Sequence, residues 1–107
     1  MSGSVRKRPQ AVADLVGHAE FIKKNTSATM AERFLDAAES TIRRLADMPA
    51  MGRAFDARRR RLAGIRVFPV RAFRKHLIFY RPLAHDRGVE VIRVLHSARD
   101  IRTALGE

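Results

Sequence analysis

Seven side chains near the C-terminal end of this sequence have the types needed to cleave RNA. They are His76, Tyr80, Arg81, Glu90, Arg93, His96 and Arg99. Such cleavage needs a group that activates a 2′-hydroxyl and cations that stabilise the phosphorane. Histidine, tyrosine and glutamate can transfer the proton, and arginine supplies the positive charge. A ribonuclease reaction is therefore one hypothesis, and its catalytic candidates are His76, Tyr80, Arg81 and His96.

The spacing of these residues limits which of them can act together. Successive side chains of a β-strand point to opposite faces of the sheet. His76 and Tyr80 should therefore share one face of their strand, with Arg81 on the other. By the same rule Glu90 and His96 should share a face of the next strand. Each side chain has an alternative role, the stabilisation of a sheet edge, and we favour that interpretation.

Other kinds of active site find little support. The chain has no cysteine, which excludes disulfides, cysteine zinc sites and thiol nucleophiles. Its histidines, His18, His76, His85 and His96, lack metal-ligand spacing, and its glycines form no phosphate-binding loop. No motif typical of a catalytic triad surrounds Ser97. We therefore predict neither a metal nor a cofactor.

The candidate residues lie on a predicted β-hairpin around which the chain is organised. Residues 75–81 are rich in β-branched and aromatic side chains, and Pro82 ends that strand. Residues 86–88 predict a turn, and residues 89–95 predict the second strand. Both strands carry apolar residues on both faces, whereas a sheet with one wet face alternates more cleanly. The pattern indicates a sheet that is covered, at least partly, on both sides.

The rest of the chain predicts a single α+β domain spanning residues 1–107. The predicted elements are a strand at 5–8, a helix at 11–24, a second helix capped by Ser27 or Thr29, a strand at 64–70, the hairpin, and a short helix at 100–105. Apolar residues three and four apart support the two long helices. The predicted architecture is a helical hairpin packed on a small, mostly antiparallel sheet, in the order β-α-α-β-β-β with a short C-terminal helix.

Positive charge dominates the composition, with 22 basic and 11 acidic residues and a formal net charge of +11. The excess lies between Arg53 and Arg87, where four consecutive arginines are Arg58, Arg59, Arg60 and Arg61. Such a surface attracts nucleic acid, an acidic protein or an anionic membrane. For the four consecutive arginines alone, we favour a solvated loop. No apolar run reaches the ~20 residues that span a bilayer, and no signal peptide opens the sequence, so we expect a cytoplasmic protein.

Four short segments carry a resemblance to a known family. They are MPAMGR at 48–53, LIFYR at 77–81, VEVIRVLH at 89–96 and ARD at 98–100. Their order and spacing resemble those of ParE toxins, in the RelE/ParE superfamily of bacterial toxin–antitoxin systems. The resemblance implies a microbial-ribonuclease-like α+β fold, neutralisation by a ParD-like antitoxin encoded beside the toxin, and inhibition of DNA gyrase.

The same superfamily contains RelE toxins, which cut messenger RNA in the ribosome, and this activity is the alternative function. RelE toxins use a cluster of lysines and arginines and a late tyrosine. Here Lys75 is the only lysine after Lys24, and Tyr80 is the only tyrosine. This difference favours the ParE side. A simple nucleic-acid-binding module is a third hypothesis, supported by charge alone.

The resemblance and the residue pattern together predict a partner surface. An acidic, amphipathic antitoxin segment would cover the sheet face that the helices leave open, forming a toxin–antitoxin hetero-oligomer. The predicted antitoxin-binding residues are Arg58, Arg59, Arg60, Arg61, Arg71 and Arg74 at the rim, with Ile78, Tyr80, Ile92 and Val94 on the sheet.

Overall fold

A computed structural model describes residues 3–84 and 88–107. Its elements, in chain order, are β1 (Ser4–Lys7), α1 (Pro9–Asn25), α2 (Ala28–Asp47), β2 (Arg53–Ala54), β3 (Arg66–Val70), β4 (Phe73–Pro82), β5 (Gly88–His96) and α3 (Ile101–Ala104). The predicted turn at 86–88 falls mostly outside the described residues, as does His85.

The strands form one mixed sheet in the order β1-β5-β4-β3-β2. β1 runs parallel to β5, whereas the β2–β3, β3–β4 and β4–β5 pairs are antiparallel. The predicted α+β architecture, with its helical hairpin and its three-stranded meander, is confirmed. The structure adds the two-residue strand β2, which is not among the elements predicted from the sequence.

Local sequence signals explain where the long helices begin. Pro9 occupies the first turn of α1, where its missing N–H costs no helical hydrogen bond. Ser27 caps α2, because its Oγ accepts a hydrogen bond from the Met30 N–H at 3.0 Å. Such a cap satisfies one of the N–H groups that every helix start leaves free. The prediction of a helix boundary at Ser27 is confirmed.

Two apolar cores lie on opposite faces of the sheet. The first core joins α1 and α2 to the sheet and includes Leu15, Phe34, Ile42, Leu45, Val70, Ile78, Tyr80, Val89, Val91 and Val94. The second core includes Leu62, Ile65, Val67, Phe79, Ile92, Leu95 and Leu105, with Phe55 and Ile101 packed against it. The second core is covered by the segment between β2 and β3 and by α3.

The expectation that one sheet face is left open for a partner is therefore wrong. The polar segment after β2 carries Phe55, whose ring packs edge-to-face on Phe79 at a centroid distance of 5.6 Å. The guanidinium of Arg102 lies 5.2 Å above the same Phe55 ring. A few apolar anchors thus hold an otherwise polar segment, together with α3, over the second face.

A β-bulge in β5 changes which side chains share a face. Phe79 pairs with Arg93 and Tyr80 pairs with Val91, so Ile92 is an extra residue between them. A bulge shifts the alternation of all the residues that follow it. Ile92 consequently lies in the second core and Val94 in the first. Ile92 and Val94, which alternation alone would put on one face, therefore lie on opposite faces. For the same reason the prediction that Glu90 shares a face with His96 is wrong.

Helix α1 completes the edge of β5 beyond the end of β1. The last ladder contact of the short strand is the Arg8 N–H, which donates to the Val91 carbonyl at 3.0 Å. Beyond it, Asp14 Oδ2 accepts the Val94 N–H at 2.9 Å, and His18 Nε2 lies 2.7 Å from the Val94 carbonyl. Two side chains of α1 therefore satisfy backbone groups that a bare strand edge would leave unpaired.

Asp14 also joins α1 to α3 through Arg93. The Arg93 Nε and Nη2 atoms donate to the two Asp14 oxygens at 2.7 and 2.9 Å, and Nη1 donates to the Ala104 carbonyl at 2.9 Å. This bidentate arrangement is the strong form of an ion pair. The hydrogen bond with Asp14 raises the pKa of Arg93. One arginine thus fastens a helix on each face of the sheet.

Tyr80 fixes the turn that follows α2. Its hydroxyl donates to the Pro49 carbonyl at 2.7 Å and accepts the Gly52 N–H at 2.8 Å. Arg66 Nη1 donates to the Gly52 carbonyl. A Cβ atom on Gly52 would lie 2.5 Å from the Tyr80 hydroxyl, so only glycine fits at this position. Burial raises the pKa of Tyr80.

We expect Asp14→Ala to destabilise the protein by about 3 kcal/mol, the scale for breaking a buried ion pair on one side. The Asp14 and Arg93 side chains are only 8% and 15% exposed. Asp14→Asn should cost less, because its amide oxygen can still accept the Val94 N–H. Urea unfolding measures both, and equal losses for the two variants would show that the hydrogen bond to Val94 contributes nothing.

We expect Tyr80→Phe to lower the free energy of unfolding by about 1–3 kcal/mol, because it leaves the Gly52 N–H and the Pro49 carbonyl without their partner. Phe79→Tyr is a poor control since it adds a buried hydroxyl. Ser40→Ala, on an exposed position of α2, is the better one. An unchanged urea midpoint for Tyr80→Phe would contradict this account of the turn.

Candidate functional site

The structure brings together only two of the four predicted catalytic residues. His76 and His96 are directly opposite in the β4–β5 register, with ring centroids 5.0 Å apart. Tyr80 points to the same face as His76, as predicted, but its hydroxyl is used by Pro49 and Gly52. Arg81 lies on the other face, where Nη2 donates to the Arg61 carbonyl at 2.7 Å.

The other predicted contributors to RNA cleavage also have structural contacts. Glu90 accepts a hydrogen bond from Arg8 Nε at 3.3 Å, and Arg93 is bound by Asp14 and Ala104. Arg99 is exposed beyond the end of β5. The seven residues of the ribonuclease hypothesis therefore do not converge on one surface.

His18 completes a histidine cluster, which we define as His18, His76 and His96. Its ring centroid is 4.8 Å from that of His76, and the Phe34 ring is also 4.8 Å from His76. The sequence did not indicate this grouping, because His18 comes from α1 and reaches the sheet only through the helix packing. His96 Nδ1 accepts the Ala98 N–H at 3.0 Å, so this histidine holds the end of the last strand.

The cluster keeps its central member uncharged. Burial lowers the pKa of His76 to about 4, with contributions from the neighbouring His18 and His96. Its Nδ1 atom is buried and has no hydrogen-bond partner among the described residues. A base with so low a pKa accepts protons poorly near pH 7. The cluster borders a cavity of about 400 Å³ lined by Gly17, His18, Phe21, Ile22, His76 and His96.

The predicted arginines separate into two groups, and the first anchors the C-terminus. The backbone N–H groups of Arg58 and Arg59 both donate to Glu107 Oε2 at 2.7 Å. Arg61 Nη2 donates to the Gly106 carbonyl at 2.8 Å, and Arg102 forms an ion pair with Glu107. The run of four arginines is thus more than a solvated loop: its backbone and Arg61 hold the cover of the second core.

The second group lines a cavity on the helix side of the sheet, which we call the arginine pocket. It measures about 200 Å³ and is lined by Ser40, Thr41, Arg44, Met51, Phe68, Pro69, Arg71 and Arg74. The sequence did not predict Arg44 as a partner-binding residue, because nothing in α2 alone indicates that it faces the β3–β4 turn. In the described part of the chain, none of the three guanidiniums has a carboxylate within 4.0 Å.

The four apolar residues predicted to bind an antitoxin face the chain's own cores. Ile78, Tyr80 and Val94 are fully buried, and Ile92 is 5% exposed. In this conformation they offer no surface to a partner. The large apolar side chains that are exposed lie elsewhere, on or next to the long helices: Val12, Val16, Phe21, Leu35 and Met48.

Two classes of site are not formed by residues 3–84 and 88–107. No group of three histidine, aspartate or glutamate side chains there has the arrangement needed to hold a metal ion. No helix in these ranges is both long and apolar enough to cross a membrane.

We expect stability to fall as the pH is lowered from about 6.5 towards 4, partly because of His76. In this window the unfolded chain binds a proton at His76, whose ordinary pKa is 6.5, while the folded chain does not. His76→Phe should therefore show a flatter dependence of Tm on pH between 7 and 5. Lys75→Gln, a substitution at the exposed neighbouring position, serves as control. Equal slopes for His76→Phe and the wild type would contradict the prediction.

Comparison with known proteins agrees with this geometry. The sequence model of the family described as "ParE toxin of type II toxin-antitoxin system, parDE" matches residues 5–101. A solved structure, "Chromosomal ParDE TA system from P. aeruginosa", aligns with a TM-score of 0.70 at 13% sequence identity, covering 89% of this chain and 96% of that chain. At this identity the likeness shows the fold. No curated protein matches the sequence significantly.

The family match begins at the second residue of β1, includes both long helices and strands β2 to β5, and extends to the first residue of α3. The segments that carry the resemblance therefore form the turn after α2, parts of β4 and β5, and the connection from β5 to α3. The chain belongs to the family of ParE toxins of type II toxin–antitoxin systems.

Proposed function

We propose that this chain inhibits DNA gyrase by binding it, and that a ParD-like antitoxin neutralises it in the cytoplasm. The observation that carries this proposal is the family match over residues 5–101. The solved relative from P. aeruginosa is described as a ParDE system, which supports a toxin that works as one member of a complex.

The protonation and the contacts of the candidate catalytic groups support a toxin that acts by binding its target and not by cleaving RNA. His76 is neutral near pH 7 because of its low pKa. The Tyr80 hydroxyl and the Arg81 guanidinium hold backbone groups of the chain itself. An RNA-cleaving site would need such groups free and convergent on one phosphate. A protein inhibitor needs only an exposed surface, which the structure provides in its exposed arginines and helices.

The charge of the chain supports an acidic antitoxin. A formal net charge of +11 draws an acidic partner by long-range attraction and speeds its association. We propose that the arginines named from the sequence, Arg58 to Arg61 with Arg71 and Arg74, contribute to this attraction. The apolar part of the contact belongs to exposed side chains, because the sheet residues are enclosed.

The purified chain should inhibit supercoiling of relaxed plasmid by DNA gyrase, and added antitoxin from the neighbouring reading frame should restore it. His76→Phe and Arg81→Gln test the ribonuclease alternative, since each removes one candidate catalytic group. We expect both variants to inhibit gyrase as the wild type does.

A translation extract programmed with messenger RNA provides the opposing measurement. Cleaved messages together with intact supercoiling would overturn the proposal. Cleavage that is lost in His76→Phe or Arg81→Gln, both folded by circular dichroism, would establish the ribonuclease instead.

A further inference from the structure

We propose that the arginine pocket binds an acidic peptide segment, receiving an aspartate or glutamate side chain between its guanidiniums and an adjacent apolar side chain against its floor. This inference rests on the proposed neutralisation by an acidic antitoxin and assigns that partner a place. It selects the pocket over the four consecutive arginines as the main anchor.

The pocket concentrates positive charge that the described residues do not neutralise. Arg44, Arg71 and Arg74 converge on it from α2, from the β3–β4 turn and from β4. All three residues are exposed, so their charge is available to a partner. A carboxylate accepts hydrogen bonds from guanidinium groups with matching planar geometry. Three arginines around one cavity therefore favour a carboxylate as the ligand.

The turn that presents Arg71 is held in an uncommon conformation. Ala72 has a φ of 69°, a left-handed conformation that is unfavourable for a residue with a side chain. The turn is secured by the buried Thr41, whose Oγ1 accepts the Arg71 N–H at 3.1 Å and donates to the Ala37 carbonyl at 2.7 Å. Strain of this kind persists where the surroundings hold it, and it is often associated with binding sites.

The floor of the pocket favours a peptide over a nucleic acid. Met51, Phe68 and Pro69 line it beside the arginines, so a ligand must match apolar surface and positive charge within about 200 Å³. An amphipathic acidic segment has both features in neighbouring side chains. A phosphodiester backbone meets the charge and leaves the apolar floor unmatched.

The four consecutive arginines are less suited to be the anchor. Arg61 is engaged with Gly106, and the backbone around Arg58 and Arg59 is engaged with Glu107. These contacts bring the Glu107 carboxylate into the same region, where it repels an incoming acidic side chain. Among the residues that the structure describes, no carboxylate lines the arginine pocket.

A pair of matched charge reversals separates the pocket from general attraction. The pocket variant is Arg71→Glu with Arg74→Glu, and the control is Arg58→Glu with Arg60→Glu. Each pair replaces two positive charges with two negative ones, so both variants carry the same net charge. The probe is an acetylated, amidated peptide of alternating glutamate and leucine, titrated by calorimetry against the full chain.

We expect the pocket variant to bind this peptide about tenfold more weakly than the control variant, the scale of losing charge-assisted hydrogen bonds. Equal weakening in the two variants would overturn the inference, because only net charge would then matter. Arg71→Gln with Arg74→Gln is a milder second pair if the reversal impairs folding, and it should weaken binding in the same direction relative to Arg58→Gln with Arg60→Gln.

Two further measurements test whether the ligand is a peptide and whether the antitoxin uses the arginine pocket. A mixed-sequence single-stranded DNA oligonucleotide that binds more tightly than the peptide, and loses that advantage in the pocket variant, would overturn the assignment to a peptide. With the antitoxin from the neighbouring reading frame, a greater loss in the pocket variant than in the control is expected. An antitoxin that does not bind the wild type would refute the neutralisation, while the peptide titration still decides the pocket.

Discussion

The unpaired edge of β5 is the constraint on which the rest of the structure depends. β1 is only four residues long, so the second half of β5 would expose the backbone groups of one edge if nothing replaced a neighbouring strand. Asp14 and His18 replace it at Val94. Because these two residues are one helical turn apart on α1, the helix can lie in only one rotation against the sheet. The packing of the first core follows from that rotation.

The same interaction reaches the second face through Arg93. The β-bulge at Ile92 lets Arg93 reach both the Asp14 carboxylate on α1 and the carbonyl at the end of α3. In a regular strand, each side chain would lie on one face of the sheet or on the other. The bulge therefore links α1, on one face of the sheet, to α3, on the other. This link fixes the C-terminal residues over the second core, which the helical hairpin does not contact.

Local signals in the sequence predicted the parts of the fold that depend on neighbouring residues. The cap at Ser27, the helical periodicity and the alternation in β4 are of this kind, and all of them agree with the structure. The bulge at Ile92 was not predictable, because it is a property of how β5 pairs with β4. That the second sheet face is covered was not predicted for a similar reason. No periodic pattern surrounds Phe55, and its role in the core is evident only from its contact with Phe79.

The division of the arginines shows why a charge count alone misplaces a binding surface. The four consecutive arginines, Arg58 to Arg61, are the most conspicuous basic segment of the sequence. Part of that segment, however, forms hydrogen bonds with Glu107 and Gly106. Arg44 and Arg71 are 27 positions apart in the chain numbering and meet only because Thr41 ties the β3–β4 turn to α2. Positive charge that is free to bind a partner therefore lies where the tertiary contacts leave it unpaired, and the helix side of the sheet has more of it than the sequence indicates.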